Sequence, residues 1–157
     1  MNIKLLAIGK TDDKNLQSLI NEYTKRLGFY VKFDLEVIRD IKNAKSLSEI
    51  QQKQKEGELI LSKISTTDHL ILLDENGKSF NSVGFANELQ KKMNAGIKTL
   101  VFVIGGPYGF SEEVYNKAKG KISLSAMTFS HQMVRLFVIE QIYRGFTILR
   151  NEPYHHQ

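Results

Sequence analysis

The residues of this chain that could do chemistry fall into three loops, each at the end of a predicted strand, and the first two directly follow an apolar run. The loops cover residues 74–78, 105–110 and 124–130, and they begin with Asp74, Gly105 and Leu124. Apolar runs of this kind are typical of buried parallel strands, and ligands of open parallel sheets bind beyond the carboxyl ends of the strands. We therefore expect the functional site to be built from these three loops.

The glycine loop at residues 105–110 does not have the composition of a nucleotide-binding turn. The dinucleotide fingerprint requires glycine in its third place, where this chain has Pro107, and proline lacks the backbone donor that a pyrophosphate needs. Glu112 and Glu113, which open the next predicted helix, would repel a phosphate. The loop favours a cationic or zwitterionic ligand; the alternative is that its glycines only form a tight turn.

Other catalytic classes lack their defining residues. The run Asn76-Gly77-Lys78-Ser79 matches the end of a phosphate-binding loop, but the first glycine of that motif is replaced by Leu72. We expect Asn76-Gly77 to mark a turn, with Asp74 as the functional candidate there. A receiver-type acidic pocket is disfavoured because Asp12 and Asp13 lie beyond the first strand end. No Gly-x-Ser-x-Gly turn indicates a serine hydrolase.

Metal chemistry is not expected from this composition. The chain has no cysteine, and its four histidines, at positions 69, 131, 155 and 156, include no pair with the i, i+4 spacing of a helical zinc site. The sequence predicts no metal.

Apolar periodicity predicts an alternation of strands and helices. Predicted strands cover Ile3–Ile8, Lys32–Ile38, His69–Asp74, Thr99–Ile104 and Ile122–Leu124. Predicted helices cover Lys14–Leu27, Leu47–Ile64, Ser82–Asn94, Ser111–Lys119 and His131–Arg150. Unbroken apolar runs in the third and fourth strands indicate a sheet buried on both faces. The prediction is an α/β fold, a three-layer sandwich with a mainly parallel sheet, forming one domain over residues 1–157.

Composition limits the partners without naming one. The 157 residues are 41% hydrophobic and carry a formal net charge of +5, spread along the chain with no block of like charge. Such a charge permits an RNA partner but does not establish one. No apolar run approaches the roughly 18 residues of a membrane helix, and the first residues do not form a signal peptide. We expect a cytoplasmic protein.

The last predicted helix is apolar on almost every side. Only Glu140, Arg144 and Thr147 form a narrow polar stripe, while His131 and Arg135 lie in the first turn on the opposite side. A helix of this kind must be covered on two sides. The sheet covers one side, and a second subunit is expected to cover the other; the alternative is a central helix buried within the monomer.

Several runs occur together in one protein family. They are Phe102-Val103-Ile104-Gly105-Gly106, Leu124-Ser125-x-Met127-Thr128-Phe129-x-His131-Gln132-Met133-x-Arg135, Ile139-Glu140-Gln141-x-Tyr143-Arg144 and Pro153-Tyr154-His155. With these runs, the chain resembles the small SPOUT-superfamily methyltransferases that methylate N3 of a pseudouridine in bacterial 23S ribosomal RNA. The likeness extends over the whole chain.

The resemblance implies a C-terminal trefoil knot, a homodimer, S-adenosyl-L-methionine as cofactor, and 23S rRNA within the assembled 70S ribosome as substrate, with neither membrane nor DNA as partner. Matching motif positions implies that the cofactor is bound by Leu73, Gly105, Leu124, Ser125, Ala126, Met127, Thr128 and Phe129. The donor carries a sulfonium and no phosphate, so Pro107 is no obstacle to its binding.

The same resemblance places Arg144, Tyr154 and His155 on the substrate side as catalytic candidates. N3 of pseudouridine must lose its proton before methyl transfer, and His155 could accept it. Arg144 could stabilise the developing anion or hold a phosphate, and Tyr154 could stack on a base. The identity of the base and the sharing of a site between subunits stay open. The alternative function is a non-catalytic ribosome- or RNA-binding module.

Overall fold

The five predicted strands form one parallel sheet in the computed structural model, which describes residues 1–156. The strands are β1 (Asn2–Ile8), β2 (Lys32–Ile38), β3 (His69–Ser79), β4 (Thr99–Ile104) and β5 (Gly120–Ser123). Their order across the sheet is β2-β1-β4-β3-β5, and every neighbouring pair is parallel. The carboxyl ends of all five strands therefore lie along one edge of the sheet.

Four α-helices connect the strands and a fifth follows the last strand, and local capping sets most of their first residues. The helices are α1 (Lys14–Leu27), α2 (Glu49–Leu61), α3 (Ser82–Asn94), α4 (Glu112–Lys117) and α5 (Met133–Leu149), and a short 3₁₀ helix covers Ala44–Ser46. Asp13 and Asn81 cap α1 and α3, and Ser48 forms a capping box with Gln51. The helix predicted from Leu47 therefore begins two residues later.

Two separate apolar clusters lie on the two faces of the sheet, as expected for three layers. On β1, Leu5 belongs to the cluster with residues of α1, α3 and α5, whereas Leu6 belongs to the cluster with Ile60 of α2 and Val114 of α4. This alternation follows from the period of two in a strand. The predicted three-layer α/β sandwich is confirmed; the trefoil knot stays a prediction.

Strand β3 does not end at Asp74 as predicted, because it is interrupted and then resumes. Leu73 and Lys78 both pair with Ile122 of β5, so that the intervening residues 74–77 loop out of the ladder. The turn expected at Asn76-Gly77 is thus part of an irregularity within a strand. It displaces the side chains of residues 74–77 from the regular alternation of a strand.

Helix α5 packs between α1 and α3 on one face of the sheet. The predicted polar stripe is wrong at Thr147, which is fully buried and donates its hydroxyl hydrogen to the carbonyl of Arg144. Phe137 and Met133 remain 38% and 45% exposed. The monomer therefore covers most of α5 and leaves an apolar strip near its start.

Within residues 1–156, no helix is both long and apolar enough to cross a membrane.

Candidate cofactor and substrate site

Two adjoining cavities open at the carboxyl ends of β3, β4 and β5. The first, of about 190 Å³, is lined by Leu73, Asp74, Glu75, Ile104, Ile122, Ser123, Leu124, Ser125, Met127, Thr128, Phe129 and Val134. The second, of about 450 Å³, is lined by Leu73, Asp74, Glu75, Asn76, Ile104, Gly105, Gly106, Pro107, Tyr108, Gly109, Phe110 and Tyr115. Because four residues line both, we treat them as one site and call it the cofactor cavity.

The structure brings together seven of the eight residues expected to bind the cofactor. Leu73 and Gly105 line the cofactor cavity from the ends of neighbouring strands, and five residues of the 124–129 segment line it from the third side. Ala126 belongs to that segment but is not among the lining residues. Three loops that are far apart in sequence thus meet at one cavity because the parallel strands that precede them end at the same edge of the sheet.

The 124–132 segment is held by bonds between side chains and backbone. Ser125 Oγ accepts a hydrogen bond from the amide of Met127 at 2.9 Å, and Ser123 Oγ donates to the carbonyl of Ser125 at 3.1 Å. Gln132 Oε1 accepts from the amides of Asp12 and Asp13 at 2.9 and 3.3 Å. The segment is therefore fastened at both ends although it has no regular secondary structure of its own.

Close packing requires the two glycines at the end of β4. A Cβ atom on Gly105 would lie 3.0 Å from the ring of Phe110, and one on Gly106 would overlap Oε2 of Glu56. Gly109 has a φ of +78°, which a side chain would make unfavourable. The glycines of this loop thus do form a tight turn, and that turn also forms a wall of the cofactor cavity.

The cofactor cavity is acidic. Asp74 and Glu75 line both of its parts, and none of the described lining residues is a lysine or arginine. Asp74 Oδ2 accepts a hydrogen bond from Tyr115 Oη at 2.5 Å. Burial, together with this bond, raises the pKa of Tyr115 to about 12, so that its hydroxyl remains a donor at neutral pH. Such a cavity fits a cationic ligand with apolar parts and disfavours a phosphate.

Two of the three catalytic candidates, Arg144 and Tyr154, bond to Glu140, and the third, His155, contacts Arg144. The sequence placed Glu140 in a polar stripe and in a family run without giving it a role. Glu140 Oε1 accepts from Arg144 Nη2 at 2.6 Å and from Tyr154 Oη at 2.9 Å. The Arg144 guanidinium carbon lies 4.6 Å from the centroid of the Tyr154 ring. The i, i+4 spacing of Glu140 and Arg144 on one helix is the sequence feature that could have indicated this ion pair. Tyr23, whose Oη is 3.1 Å from that of Tyr154, carried no such signal.

Glu140, Arg144, Tyr154 and His155 form a cluster that we call the tail cluster. Burial and charge shift the pKa values of two of its groups. Burial acts to lower the pKa of Arg144, but the hydrogen bond and the charge of Glu140 outweigh it and raise that pKa. Burial, followed by the hydrogen bonds to Tyr23 and Glu140, raises the pKa of Tyr154 well above its usual range. Both groups therefore keep their protons at neutral pH.

The ring of His155 is oriented by its neighbour. Its Nδ1 lies 3.3 Å from Nη1 of Arg144, and because a guanidinium has no acceptor, Nδ1 must accept. In the neutral ring the hydrogen then resides on Nε2, which is buried without a hydrogen-bond partner among the described residues. In this arrangement His155 offers a donor, with its acceptor atom occupied by Arg144.

The tail cluster and the cofactor cavity are separate within one chain. None of Arg144, Tyr154 and His155 is among the residues that line the cavity. Tyr154 instead packs edge-on against Tyr143 and is bonded to Tyr23 of α1. The chain thus holds two separate groups of residues: an acidic cavity with apolar walls, and the tail cluster with a histidine, a cation and an aromatic ring.

Arg135 has a supporting position beside the cofactor cavity. It is only 1% exposed and donates to the carbonyl of Ile8 at 2.7 Å and to Thr11 Oγ1 at 2.8 Å. Burial lowers its pKa, an effect that Asp40 and Asp12 oppose. These bonds join the first turn of α5 to the end of β1, so that Arg135 fixes the helix that follows the 124–132 segment.

No group of three or more His, Asp or Glu side chains that could hold a metal ion is found in residues 1–156.

Comparisons with known proteins agree with this arrangement. The family model described as "Predicted SPOUT methyltransferase" matches residues 1–155. Proteins named ribosomal RNA large subunit methyltransferase H are 80% identical to this chain in Flavobacterium johnsoniae and Flavobacterium psychrophilum, and 54% identical in Bacteroides thetaiotaomicron. Each comparison covers 100% of both chains. The chain belongs to the SPOUT methyltransferase family.

Proposed function

We propose that this protein is an S-adenosyl-L-methionine-dependent methyltransferase that methylates N3 of a pseudouridine in 23S ribosomal RNA. The observation that carries the proposal is an acidic cavity at the sheet edge in a chain that is 80% identical, over its full length, to a ribosomal RNA large subunit methyltransferase. The alternative, a non-catalytic RNA-binding module, does not explain why a preformed cavity and an ordered tail cluster occur together.

The donor fits the residues of the cofactor cavity. Asp74 and Glu75 match the positive sulfonium and ammonium groups, while Leu73, Leu124 and Ile122 give apolar walls for the adenine. When bound, S-adenosyl-L-methionine supplies a methyl group on a positively charged sulfur. The protein has to align this methyl group with the nucleophile and exclude water, and positioning alone contributes several kcal/mol to such a transfer.

The tail cluster would prepare the nucleophile. N3 of pseudouridine reacts as an anion, and Arg144, held charged by Glu140, stabilises that anion. Engagement of Arg144 by the substrate would release Nδ1 of His155, which could then accept the proton from N3. The ring of Tyr154, steadied by Tyr143 and Arg144, provides a surface on which a base stacks.

A homodimer would join the cofactor cavity of one subunit to the tail cluster of the other. The apolar patch formed by Met127, Phe129, Met133 and Phe137 is exposed in the monomer and includes two residues, Met127 and Phe129, that line the cofactor cavity. The rings of Phe129 and Phe137 are 4.9 Å apart. A homodimer that covers this patch would bring the tail of one subunit toward the cavity of its partner. Phe137→Asp should then give a monomer in sedimentation velocity that still binds the donor but does not transfer methyl groups. A dimeric F137D variant would contradict this geometry.

The substrate is proposed to be the assembled 70S ribosome. The net charge of +5 is spread thinly, and the strands of residues 1–156 all belong to one five-stranded sheet, so free RNA should bind poorly. The test is transfer of a radiolabelled methyl group to unmethylated ribosomes and to free 23S rRNA, compared at one salt concentration. Labelling of ribosomes supports the proposal. Failure to label either substrate, with donor binding intact, would favour the RNA-binding alternative.

A further inference from the structure

Helix α2 carries a buried carboxylic acid to which the proposed mechanism assigns no role. Glu56 is 3% exposed, and its Oε1 accepts a hydrogen bond from Gln52 Nε2 at 2.8 Å. Its Oε2 has no hydrogen-bond partner among the described residues. Burial raises the pKa of Glu56; the hydrogen bond from Gln52 opposes this effect, the nearby charge of Asp40 adds to it, and His131 opposes it. An unpaired buried oxygen destabilises a fold, so this position calls for an explanation.

The unpaired oxygen lies against the glycine turn at the end of β4. A Cβ atom on Gly106 would overlap Oε2 of Glu56 and lie 2.7 Å from its Cδ. So close an approach is possible only because position 106 lacks a side chain. The carboxyl group of Glu56 therefore rests directly on the Gly106 backbone.

The next residue of α2 makes an equally close contact with the other end of the same loop. A Cβ atom on Gly57 would overlap Oγ of Ser111 and lie 3.0 Å from its Cβ, and both Gly57 and Ser111 are buried. Two consecutive residues of one helix thus fix the path of residues 106–111. Residues 106–110 line the cofactor cavity, although Glu56 and Gly57 do not.

We propose that Glu56 is a positioning residue for cofactor binding, which acts by supporting the Gly106 backbone so that the 105–110 loop keeps its shape as a wall of the cavity. This inference rests on the proposed function, since it concerns the same donor. A purely structural role would favour an apolar side chain of equal volume, which would fill the space and leave no oxygen unpaired. A residue that rigidly supports a binding loop, by contrast, is retained although its buried oxygen destabilises the fold, because a preorganised loop binds its ligand more tightly.

The test uses three variants of the full chain. Glu56→Ala removes the support, Glu56→Gln keeps its shape and its acceptor oxygen, and Glu58→Ala changes an exposed residue of the same helix as the control. Calorimetry with S-adenosyl-L-methionine should show Kd about tenfold higher for E56A and within about twofold of the wild type for E56Q and E58A. The Tm of E56Q should not fall below that of the wild type.

A second readout does not depend on the donor. In ¹H–¹⁵N spectra of the ligand-free protein, the amide signals of Gly106 and Gly109 should shift in E56A and stay in place in E58A. Unchanged signals and unchanged donor affinity in E56A would overturn the inference, and so would equal losses of affinity in E56A and E56Q. A wild-type protein that fails to bind the donor would instead refute the proposed cofactor, while the amide signals would still test the role of Glu56.

Discussion

Gly77 is the position at which the structure allows the strictest test of how the site is built. The looped-out residues 74–77 return to the sheet at this glycine, where they cross the backbone of β5. A Cβ atom on Gly77 would lie 2.5 Å from the carbonyl carbon of Ile122, 2.6 Å from its nitrogen and 2.7 Å from the nitrogen of Ser123. All three are backbone atoms of a strand, which cannot move aside as the end of a flexible side chain can.

Gly77→Ala should therefore destabilise the protein by about 2–3 kcal/mol, toward the upper end of the range for overpacked interiors. For a domain of this size, each kcal/mol lowers Tm by roughly 2–4 °C, so that a fall of about 4–12 °C is expected. Because β5 leads directly into the 124–129 segment, donor affinity should fall as well. Circular dichroism melting and calorimetry with S-adenosyl-L-methionine measure the two effects.

The matched control is Gly96→Ala. Gly96 has a φ of +72°, and no heavy atom of residues 1–156 outside its immediate neighbours lies within 4 Å of the place that its Cβ would occupy. Alanine there adds backbone strain of about 1 kcal/mol without crowding. G96A should melt slightly lower than the wild type and bind the donor normally. If G77A melts no lower than G96A and binds the donor as the wild type does, the proposed close crossing of residues 74–77 over β5 is wrong.

Two further substitutions test the side chains that hold the tail cluster and the first turn of α5 in place. Glu140→Gln removes the charge that holds Arg144 and should slow methyl transfer about tenfold or more in single-turnover labelling, with donor affinity unchanged; an unaltered rate would remove Glu140 from the tail cluster's function. Arg135→Ala removes the buried hydrogen bonds to Ile8 and Thr11 and should lower Tm by about 6–12 °C, corresponding to about 3 kcal/mol. Arg135→Lys, which can keep one of the bonds, should lose about half as much, and equal losses would argue against specific bonding.

The sheet and its helices were predictable because local and global signals agree. The apolar runs at Leu70–Leu72 and Leu100–Ile104 are buried on both faces, as the parallel arrangement requires, and only Leu73, at the edge of the cavity, is partly exposed. Strand ends in a parallel sheet share an edge, which is why three distant loops could be expected to form one site. The order of the strands did not follow from periodicity, since nothing local to β1 indicates that β4 rather than β3 is its neighbour.

The interruption of β3 was not predictable, for a physical reason. Asn-Gly is a common turn pair, and its local preferences are the same whether the chain reverses or bulges out of a strand. What decides between them here is the pairing of both Leu73 and Lys78 with Ile122, a contact made across 44 residues or more of sequence. Likewise, threonine is common at polar surface positions. Only the folded structure shows that the Thr147 hydroxyl is buried and donates to the carbonyl of Arg144.

The tail of the chain shows the limit of reasoning from residue types alone. Tyr154 and His155 lie in a short polar segment after the last helix, where composition favours a frayed end. Their order depends on Glu140 and Arg144 within α5 and on Tyr23 in α1, which is 131 residues away from Tyr154. The resemblance to the SPOUT family, and not the properties of the segment, brought these residues into the candidate site.

Several departures from simple folding rules lie at the edge of the sheet where the cofactor cavity opens. Glu56 and Arg135 are buried ionisable groups, each with a polar atom that has no hydrogen-bond partner among the described residues, and Gly9 and Gly109 have positive φ angles. The two buried groups lower the stability of the chain relative to apolar side chains of similar volume.

The opposite edge, where the strands begin, has departures of its own, since Gly96 has a φ of +72° and Nε2 of His69 is buried without a hydrogen-bond partner among the described residues. Departures from local rules therefore do not locate the site by themselves. Glu56 and Arg135 extend the candidate site to α2 and to the first turn of α5 because Glu56 also rests against Gly106 and Arg135 also binds the end of β1.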